Sequence, residues 1–209
     1  MLPITVTVQL DTADADGIAQ SQTPAGAGAL TLNGALVSGG VATLVEEGAA
    51  RQVLVTTVSD ESAKTLTITG TNATGNPISE TITGPNATTG TTIQYFRTVA
   101  AVTVSAAFTG AVTVGTNGVG ATRPVALDMN KRPFLVTYAC DITGTINYDV
   151  EHTLDDLNDP TITPHWFDDA TLNNETTDQF GNIAYPVRFS RIAVNSGTGT
   201  IRAAILQAG

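Results

Sequence analysis

The chain has 209 residues, of which 42% are hydrophobic, 13% charged and 5% aromatic, and its formal net charge is −10. That length supports one large domain or two small ones, with a core that needs neither disulfides nor metals. The composition excludes a chain held disordered by its own charge, and the nine basic residues form no long run of the kind that grips a phosphate backbone, so nucleic acid is not an expected partner.

The first predicted element is "ITVTVQL", Ile4–Leu10, where aliphatic residues alternate with Thr and Gln and so place one strand face in a core. The opening "MLPITVTVQL" lacks the basic and long apolar regions of a signal peptide. No stretch has the ~20 apolar residues of a membrane span, so no membrane partner is expected. "DTADADG", Asp11–Gly17, brings three carboxylates together. An EF-hand loop with Gly17 at its sixth position needs acids where Thr12 and Thr23 stand, so a solvated turn is expected, with a looser oxygen site at Asp14 and Asp16 as the alternative. The run "SQTPAGAGA" that follows reads as part of an extended arm, Leu2–Gly28.

Period-two segments then recur: "RQVLVTTV", "KTLTITG", "ISETITG", "AVTVSA" and "AVTVG". Their Val, Ile and Thr are β-branched and suit a pleated, half-buried surface. "KTLTITG" and "ISETITG" flank "GTNATGNP", in which Gly75 suits a positive φ, so a hairpin is predicted with Glu80 on the same face as Ile78 and Ile82. "VEEGAAR" and "DDATLNNETTDQF" hold short helical turns at most.

Composition shifts at "GTNGVGATR", Gly115–Arg123. Aromatic residues before it are Tyr95, Phe96 and Phe108; after it come Phe134, Tyr138, Tyr148, Trp166, Phe167, Phe180, Tyr185 and Phe189. The segment reads as a Gly-rich linker. The predicted fold is therefore all-β, with two antiparallel β-sandwich or jelly-roll-like domains. Residues 1–120 form the first, with its N-terminal arm, and residues 121–209 the second. In the second, Cys140 in "PFLVTYAC" reads as a small buried hydrophobe, and "NSGTG" in the last segment reads as a hairpin turn. Between Leu154 and Gly181 lies a long acidic region, either functional or an arm on a neighbouring subunit.

No catalytic, cofactor or metal site is assigned. His152 and His165 flank "TLDDLNDPTITP" near Asp155, Asp156 and Asp159, without a zinc-site spacing. Neither histidine has an evident nucleophilic partner, and no G-x-S-x-G elbow or phosphate loop occurs. Asp155, Asp156, Asp168 and Asp169 surround Trp166 in the way acids and an aromatic platform hold sugars, against the plainer reading of a solvated loop with a core tryptophan. The sequons at Asn72, Asn86 and Asn174 read as chance products of a Thr- and Asn-rich chain, and Lys131 and Arg132 are a local basic pair only.

Two regions carry a resemblance. "DADGIAQSQTPAGAGALTLNGALVSGGVATL", "ISETITGPNATTGTT" and "YFRTVAAVTVSAAFTGAVTVGTNG" look like a recurrent family of tailed-bacteriophage virion proteins. "ATLNNETTDQFGNIAYPVRFSRIAVNSGTGTIRAAILQAG" resembles the closing segment of small phage structural proteins encoded among head and tail genes. The resemblance implies a non-enzymatic decoration (cement) protein on the outer capsid surface, made in the host cytoplasm. Its implied partners are the major capsid protein and copies of itself, with a trimer favoured. Residues 2–28 are expected to form part of the capsid contact. The alternatives are a tail, adaptor or fibre-associated component and a carbohydrate-binding module centred on Trp166.

Overall fold

The computed structural model describes all residues except 1–2, 46–47, 158, 160–161 and 209. The described residues are all β, without a helix. The strands are β1 (Ile4–Gln9), β2 (Ala19–Gln22), β3 (Gly28–Ala29), β4 (Val37–Ser38), β5 (Val41–Thr43), β6 (Ala49–Thr57), β7 (Thr65–Thr71), β8 (Pro77–Thr83) and β9 (Thr89–Thr91). They continue with β10 (Thr98–Val104), β11 (Val112–Thr122), β12 (Val125–Ala126), β13 (Leu135–Thr143), β14 (Ile146–Thr153), β15 (Phe167–Asp168), β16 (Gln179–Ile183), β17 (Phe189–Gly197) and β18 (Thr200–Ala208). They build three antiparallel sheets, one curled into a half-barrel.

The chain divides into two compact units, Thr12–Asn117 and Met1–Asp11 with Gly118–Gly209. In the first, a sheet runs in the order β4-β5-β10-β7-β8, with β3 also on β10. Its core gathers Ile18, Leu44, Val53, Val55, Leu66, Ile68, Phe96, Val99, Val102, Val112 and Val114. Burying each such side chain contributes about 1.5–3 kcal/mol. The predicted hairpin is β7–β8, in register from Thr65↔Thr83 to Thr71↔Pro77. Leu66 and Ile68 are buried, and the outward threonines bond across strands, Thr67 Oγ1 to Thr81 Oγ1 at 2.8 Å and Thr71 Oγ1 to Thr98 Oγ1 at 2.6 Å. Gly75 takes φ +84° in the turn, as its sequence context requires.

Asn72 of the first sequon closes that turn. Its Oδ1 accepts from the amides of Thr74 and Asn76, both at 3.0 Å, and from the Thr74 hydroxyl at 2.7 Å. Glu80 lies opposite Ile68 in register and accepts from the amides of Ile93 (2.7 Å) and Gln94 (2.8 Å). Of "VEEGAAR", residues 46–47 lie outside the described residues, and Ala49–Arg51 begin β6 rather than a helical turn. "DDATLNNETTDQF" contains no helix either.

In the second unit a four-stranded sheet runs β1-β18-β13-β16. β14 pairs with β17 from Ile146↔Gly197 to Thr153↔Phe189, β15 joins the end of β14, and β12 joins β17. Val6, Val8, Val136, Tyr138, Tyr148, Val150, Ile183, Ile192, Val194, Ile201 and Ile205 are buried there. Cys140 is buried as expected, and burial pushes its thiol up to about 11, well away from a reactive thiolate.

Three local expectations differ from the structure. Most of the expected linker, residues 115–122, is strand, because Val112 and Val114 bury one face of β11 and Gly115 lies against the Asp14 carbonyl. A Cβ at Gly115 would stand 2.0 Å from that oxygen, so this glycine answers a close approach and not a need for flexibility. The expected arm does not extend over residues 4–9, which form β1, the strand their alternation predicts, paired in full with β18 because Val6 and Val8 face the core. Lastly, "NSGTG" does not close a hairpin: β17 pairs with β14, whereas β18 pairs with β13 and β1.

Candidate functional site

The end of β14 presents a group of aromatic and titratable side chains. Strand pairing sets His152 opposite Phe167 and Glu151 opposite Asp168. Alternation puts His152 on the same strand face as the buried Tyr148 and Val150, and the chain returns at Tyr185, whose hydroxyl lies 3.2 Å from His152 Nε2. The Tyr185 ring meets the His152 imidazole edge-on at 5.4 Å, and His165 stacks on Phe167 at 4.5 Å. Phe167 is 54% and Tyr185 49% exposed, so the group forms an apolar patch open to solvent. Alongside, the Arg191 guanidinium covers the Trp166 ring at 4.0 Å from its centroid and its Nε donates to Glu151.

The sequence-predicted acids divide by role. Asp155 Oδ2 accepts from the His165 amide at 2.6 Å, and Asp156 pairs with Arg188 at 2.8 Å. Asp169 is buried; its Oδ1 accepts from the Thr171 amide (2.9 Å), the Thr171 hydroxyl (2.7 Å) and the Leu172 amide (3.1 Å). These acids shape the loop. Asp168 is exposed at the rim of the patch. The tryptophan of the alternative sugar-platform reading has its ring against Arg191, and the exposed aromatic surface belongs instead to Phe167, Tyr185 and His165.

Among the described residues no three His, Cys, Asp or Glu side chains gather as a metal cage. In the "DTADADG" segment Asp14 forms a turn pinned to β11, its carbonyl accepting from the Thr116 amide at 2.7 Å and its Oδ1 from the Asp16 amide at 3.3 Å. Arg132 Nη1 donates to the carbonyls of Met129 and Lys131, both at 2.9 Å, which folds that side chain back on its own loop. Sequence reasoning missed Tyr185 and the Glu151–Arg191 pair. The alternation of "NYDVEHT" against "FSRIAV" was the available signal, since it makes these two runs candidate partner strands.

Burial holds the His152 imidazole below its ordinary value of 6.5, against the opposing pull of Asp169, Asp168 and Glu151. An unfolded chain therefore takes up a proton at His152 more readily than the fold does, so stability is lost as pH falls through and below 6.5. In an NMR titration His152 is expected to titrate below this value, and His152→Gln to flatten the stability–pH profile across that window. A midpoint at or above 6.5 would contradict the burial argument.

No family model matches the chain, and no curated protein matches it.

Proposed function

We propose that the chain is a non-enzymatic structural protein of a tailed-bacteriophage virion, a decoration protein that binds the outer capsid shell and ties neighbouring capsomers. It acts on the capsid surface after synthesis in the host cytoplasm. Its partners are the major capsid protein and other copies of itself, a trimer being favoured. In this reading the chain is organised as two sandwich-like β domains that serve as scaffold.

The observation that supports it best is the open aromatic patch of Phe167 and Tyr185 on an antiparallel framework whose nearby acids Asp155 and Asp169 serve loop geometry. Contiguous exposed apolar surface of this kind marks protein contacts. The acidic charge suits a protein that stays soluble before assembly. Within residues 2–28, the exposed run 25–27 between β2 and β3 is the part offered to the shell in this reading, since residues 4–9, 19–22 and 28–29 lie in strands.

Cryo-electron microscopy of particles carrying tagged protein tests the proposal: many copies across the head are expected. Density confined to the tail or a vertex would replace it with the adaptor or fibre reading. A second reading, a glycan-binding surface, draws on the exposed Phe167 and Tyr185 beside Asp168. It requires binding to host polysaccharide that Phe167→Ala abolishes.

A further inference from the structure

The edges of the three sheets are not treated alike. An open edge carries a row of unpaired amides and carbonyls, and proteins blunt such edges with short strands, charges, proline or covering groups. Edge strands β4 and β15 have two residues each, and β9 has three. Edge strand β8 begins at Pro77, carries Glu80, and has its Ser79 carbonyl covered by the Gln94 side-chain amide at 3.3 Å.

The four-stranded sheet differs at both ends. β1, ITVTVQ, spans six residues and β16, QFGNI, five, and neither contains a charge or a proline. β1 pairs along one side with β18 and β16 along one side with β13. On the solvent face the register aligns Thr5, Ala204, Ala139 and Phe180 in one row across the four strands, with Phe180 73% exposed at its end.

Three successive antiparallel pairings leave β1 and β16 running in opposite directions. The β16 of one copy laid beside the β1 of another therefore forms a further antiparallel ladder of matching length. Both edges are uncharged, so two acidic copies meet there without local repulsion. The row continues past the joint, and Phe180, 73% exposed at its end, gains a neighbour there.

We infer that the occupant of these edges is a second copy of this chain, with β16 of one protomer pairing with β1 of the next. Each copy offers one edge of each kind. The contact is heterologous and generates a closed ring when its rotation closes. The inference rests on the fold of one unit and not on the virion reading, so purified protein is enough to test it.

Light scattering coupled to size exclusion, run on the full chain across a range of concentrations, is expected to show an oligomer. Thr5→Lys or Phe180→Lys, both at solvent-facing positions, are each expected to weaken association by about tenfold or more. Circular dichroism and thermal melting report whether those variants stay folded. Combining Thr5→Lys with Phe180→Glu in one chain is expected to restore assembly, because opposite charges then meet across the joint. A monomeric parent chain, including one that binds only capsid shells, overturns the inference. So does an oligomer indifferent to both lysines, or one lost with Phe180→Lys yet untouched by Thr5→Lys, which signals pairing of β16 with itself.

Discussion

Glu61→Gln is expected to lower the free energy of unfolding by about 3 kcal/mol, read as a shift of the urea midpoint at unchanged slope. Glu61 lies in the connection between β6 and β7 and is fully buried. Its Oε1 accepts from the amides of Thr109 (2.8 Å) and Gly110 (2.9 Å), and its other oxygen pairs with Lys64. Its own amide donates to the Pro85 carbonyl at 3.0 Å, so one residue ties three connections of its unit together. The amide side chain of glutamine has a single acceptor oxygen and no charge. It cannot satisfy the two backbone donors and the ammonium together, and a buried donor left without a partner costs about 1–3 kcal/mol. Glu61→Ala removes every acceptor and is expected to cost at least as much.

The same site gives an acid limb to stability. Burial alone would raise the Glu61 carboxyl, but the Lys64 ammonium and the Gly110 and Thr109 amides outweigh it and hold the group below its ordinary value. A depressed carboxyl stabilises the fold above its unfolded value, and that stability disappears as pH falls through the folded one. The parent chain should therefore lose stability in acid more steeply than Glu61→Gln. Equal acid slopes would show that Glu61 is not held as a carboxylate.

Gly70→Ala is the second large effect expected, a destabilisation of about 3 kcal/mol with loss of the β7–β10 pairing. Gly70 sits in β7 opposite Val99, beside the irregularity between Val99 and Ala101. A Cβ at this position would lie 1.8 Å from the Thr98 carbonyl oxygen. That atom belongs to backbone, so no rotamer change relieves the clash and the strands must part. Amide exchange of β7 and β10, compared with that of β13 and β18, checks the effect. Uniform protection in the variant would contradict it.

Much of the fold was legible because side-chain period two persists wherever one strand face is buried. "TLTITGT" and "PISETIT" gave the hairpin together with its turn. Alternation does not say which sheet a strand joins, and for that reason Asn195–Gly199 read as a hairpin although the chain there passes from β14's partner to β13's. Glycine misled at Gly115, since close backbone approach and chain flexibility leave the same residue in the sequence.

The aromatic patch was half legible. Its loop and its acids stand out in the sequence, but Trp166 there outweighs Phe167, because the covering guanidinium of Arg191 arrives from a strand distant in sequence. Glu61 is not legible in "SDESAK", where a polar run reads as solvated turn and nothing local announces that two amides nearly fifty residues ahead point at it.

The pairing of Ile4 with Ile205 has a consequence for synthesis. The unit Thr12–Asn117 is one continuous stretch and has all its strands early during translation. β1, made before it, must wait for β18, made after it. During that interval Val6 and Val8 have no native cover, so translation speed and chaperone capture are expected to govern the yield of folded protein.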